Sequence, residues 1–545
     1  MRKGGNRSLW EAFRNKRKRG TPVITREETA RDTGKLPLHR DLKTNLEKIK
    51  QEVGNSPDVI IREFEIGSNP QIPIAAVYID GLADKKMVSD FVMRSLMIDH
   101  GEAKTHNIIS AQNVFHFVKN NALTLGEVKI IKDWNELILS VLSGNTVILI
   151  DRFTEAISGS TSGGESRSVT EPSTQVVIRG PKDSFSESLG TNISLVRRRI
   201  KSPNLWLETK QIGNVTQTDV AVMYIKGIAN DKLVQEVRRR LDDIEIDGIL
   251  ESGYIEELIQ DQTFTLFPTL FNTERPDVVA GNLLEGRVAI FVDGTPFVLI
   301  APTTFFQFFQ TSEDYYHRFD ITIAIRLLRY AALLIGLLGP SVYVAAITFH
   351  QEMIPTPLLI SLAEQREGVP FPPFVEAILM EATLEFLREA GIRMPRAVGQ
   401  AVSIVGALVL GQAAVEAGIV SASMVIVVSI TGIANFAIAS YSLGISIRLL
   451  RFVIILFAGT FGFYGIAISN IMVLAHLCNL RSFGVPYMAP ITPFILEDQK
   501  DTILRLPWWS FLTRPRLISQ NKMTRMEGGL QPTPSKQDQN QDQGD

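Results

Sequence analysis

From Ile419 to Ile447 the chain carries no charged residue. As a helix this run outreaches the ~30 Å hydrocarbon core of a bilayer, which about 20 residues span. It is not uniformly greasy. Ser421, Val425, Val428, Gly432, Asn435 and Ala439 share one face at helical spacing, and Ile426, Ile430, Ile433 and Ala437 lie on another. Lipid satisfies neither small nor polar side chains, so such a face serves close helix packing or a water-lined path. On the second reading Ser421, Val425, Val428, Gly432 and Asn435 are pore-lining candidates.

Further uncharged runs occupy Tyr330–Phe349, Ala397–Ala414 and Phe452–Ala475. Arg326 and Arg329 precede the first, Arg393 and Arg396 the second, and Arg448 and Arg451 follow Ile419–Ile447. The positive-inside rule sets all three pairs on the cytoplasmic side, so the chain must return between residues 350 and 392. The candidate is Phe374–Ala390. Glu381, Glu385 and Glu389 share one of its faces, and Glu376 precedes them. A charge at mid-bilayer costs about 2.5 kcal/mol or more. Either these carboxylates face a bundle interior, a pore or a neighbouring subunit, or the helix lies on the surface; the topology favours a buried or re-entrant helix. Beyond, Pro486, Pro490 and Pro493 break the apolar stretch, which reads as a re-entrant or interfacial segment over 481–516. Trp508 and Trp509 suit an interfacial anchor there. Residues 517–545 read as a disordered tail.

The first 318 residues differ in character. Residues 1–55 read as a basic, disordered arm with one amphipathic helix near Leu42–Val53, either solvated or touching lipid heads or nucleic acid. Residues 56–318 contain a weak repeat. Ala76–Val88 matches Val222–Val234, with Tyr78 and Gly81 answering to Tyr224 and Gly227, and Ser143–Asp151 matches Glu285–Asp293. Each unit reads as an apolar strand, a turn at glycine, helices and a closing β-branched strand. The expected fold is therefore multidomain: a soluble α/β region of two similar subdomains (56–155 and 204–318, linked by 156–203), then an α-helical polytopic membrane domain over 319–480. Asp293-Gly294 marks a tight hairpin turn. Ser158–Gly164 reads as a mobile loop without phosphate-loop context. The aromatic stretch Pro302–Tyr316 suits a membrane interface or a subdomain core.

The net charge of −2 names no partner, and the single cysteine, Cys478, excludes an internal disulfide framework. No apolar signal region follows the basic N-terminus. No metalloprotease, phosphate-loop or nucleophile-elbow pattern occurs, and the seven histidines are scattered, so neither an enzyme, a metal site nor a cofactor is expected.

Several stretches together resemble the A subunits of GerA-type nutrient germinant receptors of endospore-forming bacteria. They are Gly180–Ile200, Pro302–Tyr316, Arg366–Pro373, Glu381–Pro395 and Thr492-Pro493. The likeness covers roughly residues 50–510 and excludes the tails. It implies a multi-pass protein of the spore inner membrane with a cytoplasmic N-terminal region. Its implied partners are a transporter-like B subunit and a lipoprotein C subunit, besides membrane lipid; nucleic acid is not among them. It also implies that the A subunit forms a homo-oligomer that releases cations when nutrient is sensed, with a non-conducting scaffold as the alternative.

Overall fold

A computed structural model describes residues 36–66, 72–96, 115, 128–163, 171–394 and 409–532. The expected span Ala397–Ala414 and most of the basic arm fall largely or wholly outside them.

The soluble region holds two five-stranded antiparallel sheets. The first comprises β1 (Val59–Ile66), β2 (Ile72–Ile79), β3 (Val128–Ile131), β4 (Thr146–Ile150) and β5 (Ala156–Gly159), in the order β1-β2-β4-β5-β3. The second comprises β6 (Leu205–Ile212), β7 (Thr218–Ile225), β8 (Phe271–Thr273), β9 (Val288–Val292) and β10 (Val298–Ala301), in the order β6-β7-β9-β10-β8. The two orders are the same permutation, so the weak repeat in sequence is a repeat of topology. The matched segments fall on β2 and β7, and on β4 and β9. These strands are almost wholly buried, as continuous apolar runs are when both faces of a sheet are covered. Asp293-Gly294 does form the β9–β10 hairpin connection, with Gly294 at φ +88°.

Several boundaries differ from expectation. The helix Leu42–Glu52 is capped by Asp41 and buries Leu42, Leu46 and Ile49 against β2 and β4, so this part of the arm belongs to the first core. Ser158 and Gly159, read as loop, complete β5 because their backbone pairs with β3 and β4. The subdomains are latched by a buried bidentate pair, in which Arg197 Nε and Nη2 donate to Asp58 at 2.7 and 2.9 Å. Gly54 (φ +66°) lies so close to the Trp206 ring that a Cβ there would sit 2.2 Å from it.

The aromatic stretch packs inward. Phe305, Phe308 and Phe309 join Leu443, Ile447, Leu477 and Tyr487 in one apolar cluster that continues from the second sheet into the helices. Residues 481–532 pack on the soluble region. Ser482 Oγ donates to the Thr269 carbonyl, Tyr487 Oη to that of Pro268, and Asn521 to that of Ala229, so this segment wraps the second subdomain. Trp508 packs on Tyr315 and donates to its carbonyl at 3.2 Å. The described part of the tail expected to be disordered is thus hydrogen-bonded.

Among the described residues two helices are long and apolar enough to cross a membrane, Phe319–Phe349 and Tyr441–Asn479. The second is a hairpin. Ser446 donates to the Leu266 carbonyl and His476 bonds Thr265, yet a straight helix would hold residues 30 apart at about 45 Å. The fold-back is Gly462, at φ 61° and ψ −142°, conformations that glycine alone adopts without strain. Its position packs against Phe349 and His350, at the far end of the first helix. The uncharged runs therefore do not map onto single helices. Ile419–Ile447 divides at residues 437–440, between the short helix Ala422–Phe436 and the hairpin, whose first turn Ser440 caps. Ala439 thus leaves the face it was expected to share with Ser421. Phe452–Ala475 likewise folds back at Gly462.

Candidate functional site

The acidic helix, Pro373–Arg393, packs against the first helix, the short helix and the hairpin. It is a member of the helical bundle. Its carboxylates differ in their surroundings. Glu376 is fully buried; Ser421 Oγ donates to it at 2.8 Å, and Arg366 Nη1 stands 3.4 Å away. Beside it, Tyr343 and Ser423 share a 2.6 Å hydrogen bond, so four polar side chains meet between three helices. One turn and a half further on, Glu381 is 1% exposed and accepts from Arg451 Nη1 at 2.5 Å. Arg451 Nε also donates to the Gly336 carbonyl at 2.6 Å. Glu385 lies 3.2 Å from Arg448 and 3.3 Å from Arg388. Glu389 pairs with Arg393 at 2.6 Å at the surface.

Arg448 and Arg451 lie within the first arm of the hairpin, where carboxylates of the acidic helix pair with them.

The face expected to line a path turns toward this protein's own helices. Ser421, Val428, Gly432 and Asn435 are buried, and Val425 is half-buried. Val428 packs with Val344, Ala377, Met424 and Ile455, and Gly432 lies against Leu384. Asn435 lies beside Gly336, and neither atom of its carboxamide has a hydrogen-bond partner among the described residues. The opposite face, Ile426, Ile430, Ile433 and Phe436, is exposed.

Sequence reasoning found the four carboxylates and missed their partners. Arg366, which meets Glu376, and Arg451, which meets Glu381, come from separate helices. The available signal was the register of arginines and glutamates along opposed helices, legible only once the fold-back at Gly462 is known. It also missed a second cluster, where the first helix leaves the soluble region. Arg326 and Arg329 meet Asp314 at 2.9 and 2.8 Å, and Arg326 Nη1 meets Asp501 at 2.8 Å. Tyr315 Oη donates to Asp501 at 2.6 Å, and burial pushes the Asp501 carboxyl up despite Arg326. Among the described residues no group of His, Cys, Asp and Glu could hold a metal ion.

The model of the Bacillus/Clostridium GerA spore germination protein family matches residues 47–517. The chain is 54% identical to spore germination protein KA of Bacillus subtilis (strain 168), over 91% of this chain and 90% of that one. It is 39% identical to spore germination protein GerLA of Bacillus cereus, over 90% and 98%. The N-terminal domain of the A subunit of the Bacillus megaterium spore germinant receptor GerK3, known as a crystal structure, is 48% identical. It covers 49% of this chain and 97% of its own, with a TM-score of 0.40.

Proposed function

From the premise that this chain belongs to the Bacillus/Clostridium GerA family of spore germination proteins, we propose that it is the A subunit of a nutrient germinant receptor in the spore inner membrane. On this reading it crosses that membrane several times and assembles with a transporter-like B subunit, a lipoprotein C subunit and further copies of itself. Nutrient sensing opens a cation path through the helical part. The observation that carries the reading is the buried polar seam along the apolar helices. Glu376, Ser421, Tyr343 and Ser423 meet at one level, and Asn435, further along the same face, has no hydrogen-bond partner among the described residues. Unsatisfied polar groups at that depth are costly unless water or an ion reaches them.

A second reading, a non-conducting scaffold that relays the B subunit's state, draws on a different observation. Ser421, Val428 and Gly432 are packed within one protomer, and the buried glutamates already meet arginines. Cation release from spores carrying Val425→Ala, Val428→Ala or Asn435→Leu separates the two. The path reading expects leak before nutrient from the valine variants and slowed release from Asn435→Leu. Wild-type release from all three, in spores holding normal amounts of the protein, would defeat it and leave the scaffold.

A further inference from the structure

The first helix, Phe319–Phe349, has 31 residues. It is about 46 Å long, about 16 Å more than a hydrocarbon core of ~30 Å. Its uncharged run Tyr330–Phe349 fills such a core alone, so Phe319–Arg329 is left on the soluble side. Within that stretch Arg326 and Arg329 turn inward to Asp314. Ile321, Ile325 and Leu328 share another face at helical spacing and are exposed. Two segments of the soluble region bring further exposed apolar side chains to this level. One is the loop 260–267, held against both arms of the hairpin because Ser446 donates to the Leu266 carbonyl and Thr265 bonds His476 at 3.0 Å. Ser446 stands about 7.5 Å below Arg451, which reaches Gly336 of the first helix, so the loop is level with Tyr330. Phe264 at its tip is 92% exposed, and Leu266 is exposed as well. The other segment is the C-terminal wrap. Tyr330 Oη donates to the Thr502 carbonyl at 3.1 Å, and the next two residues, Ile503 and Leu504, are exposed.

Neither segment offers a free charge at this level. Asp261, the one ionisable residue of 260–267, pairs with Arg240 at 2.7 Å, and Arg505, the one in 502–509, is buried. Apolar side chains without charged neighbours, continuous with the exposed flanks of apolar helices, suit lipid better than water. We propose, resting on the membrane reading above, that the soluble region is seated in the bilayer. Phe264, Leu266, Ile503 and Leu504 enter its interfacial layer beside the outer face of Ile321, Ile325 and Leu328. Trp508 and Trp509, both exposed and following in the wrap, lie at the headgroups, where rings with one polar edge are half wet. The occupant of this apolar collar is thus phospholipid. The loop is fixed to the hairpin and the wrap to the first helix, so the lipid surface holds the soluble region against the base of both.

The test is spin labelling of the full-length protein, with Cys478→Ser as background, in vesicles of phosphatidylglycerol and phosphatidylcholine. Single labels follow Phe264→Cys and Leu504→Cys in the collar, Ile433→Cys and Ile471→Cys on the helices, and Leu139→Cys on the first subdomain. All five side chains are exposed, so each substitution spares the cores. The collar labels should relax faster with oxygen than with an aqueous nickel chelate, as at Ile433 and Ile471, and the Leu139 label should show the reverse. Preference for the chelate at Phe264 or Leu504, with oxygen preferred at Ile433 or Ile471, overturns the proposal and leaves the membrane reading standing. Collar labels shielded from both reagents overturn it too, because protein and not lipid then covers the collar. Preference for the chelate at Ile433 and Ile471 alike removes the membrane reading itself, and the proposal with it.

Discussion

Replacing Glu381 by Gln removes the partner of a guanidinium that has no access to water. Both side chains of the Glu381–Arg451 pair are 1% exposed, and the shared hydrogen bond is 2.5 Å. Glu381 Oε1 and Arg451 Nη2 have no further partner among the described residues, so the pair is only partly satisfied even in the wild type. Breaking a buried pair on one side costs about 3–5 kcal/mol, because the orphaned charge keeps its desolvation penalty. The Gly336 carbonyl, 2.6 Å from Arg451 Nε, offsets a fraction of that, so the expected loss for Glu381→Gln is about 3 kcal/mol. Replacing both residues with leucine removes both charges together, and such exchanges are often neutral or stabilising. The double variant should therefore return to within about 1 kcal/mol of wild type. The assay is denaturant titration of the full-length protein in mild detergent, run as a double-mutant cycle. A loss below about 0.5 kcal/mol for Glu381→Gln, the scale of a surface ion pair, would refute the reasoning. It would mean that water reaches the pair and that the acidic helix lies at the surface.

Arg197→Ala should cost about 3–5 kcal/mol by orphaning Asp58 between the subdomains, and Arg197→Lys should recover little because it cannot reproduce the bidentate fork; trypsin susceptibility of the 156–203 linker reads both. Gly462→Ala places a Cβ 2.8 Å from His350 at φ +61°, which should lower stability by about 1–3 kcal/mol and loosen the hairpin, seen as faster exchange of amides 455–470; unchanged exchange would count against the fold-back. Burial raises the Glu256 carboxyl from its ordinary 4.5 to about 7, against a hydrogen bond from Asn272. A raised carboxyl favours the protonated folded form. This contribution is fully present below about pH 4.5 and is lost as pH rises to about 7. Glu256→Gln should flatten that part of the stability profile, and an unaltered profile would show that the group titrates normally.

What was legible in the sequence follows from where each constraint resides. The twofold repeat was visible because β2 and β7 are buried on both faces, which restricts them to the same residue types in both copies. The acidic helix was visible because glutamates at helical spacing stand out in an apolar neighbourhood. The helix ends were not visible, because the fold-back at Gly462 and the turn at 437–440 depend on backbone dihedrals that hydropathy does not register. The packing of the C-terminal wrap on the second subdomain was not visible for a related reason. Prolines and tryptophans signal a broken, half-wet segment, and the surface of a neighbouring domain meets that description as well as a bilayer does. The partners of the buried glutamates are tertiary. Nothing in the sequence around Arg451 points to Glu381 as its partner.

These contacts also bear on how a signal received outside the helices would reach them. Asp314 lies in the segment that leaves the second subdomain, Arg326 and Arg329 open the first apolar helix, and Asp501 belongs to the C-terminal wrap. Their side chains share one buried cluster, so none of the three segments moves without leaving a charge unpaired. Such a joint is rigid against small displacements and transmits them. Upward along the first helix, the next polar commitments are the Gly336 carbonyl on Arg451 and the Tyr343 hydroxyl on Ser423. A shift of that helix along its axis by one turn, about 5.4 Å, would break both hydrogen bonds. It would thereby alter the surroundings of Glu381 and Ser421 together. The soluble region and the buried carboxylates are in this way linked by one helix with polar anchors at both levels. That arrangement suits a subunit that relays a nutrient signal, whether or not its own helices carry the ions.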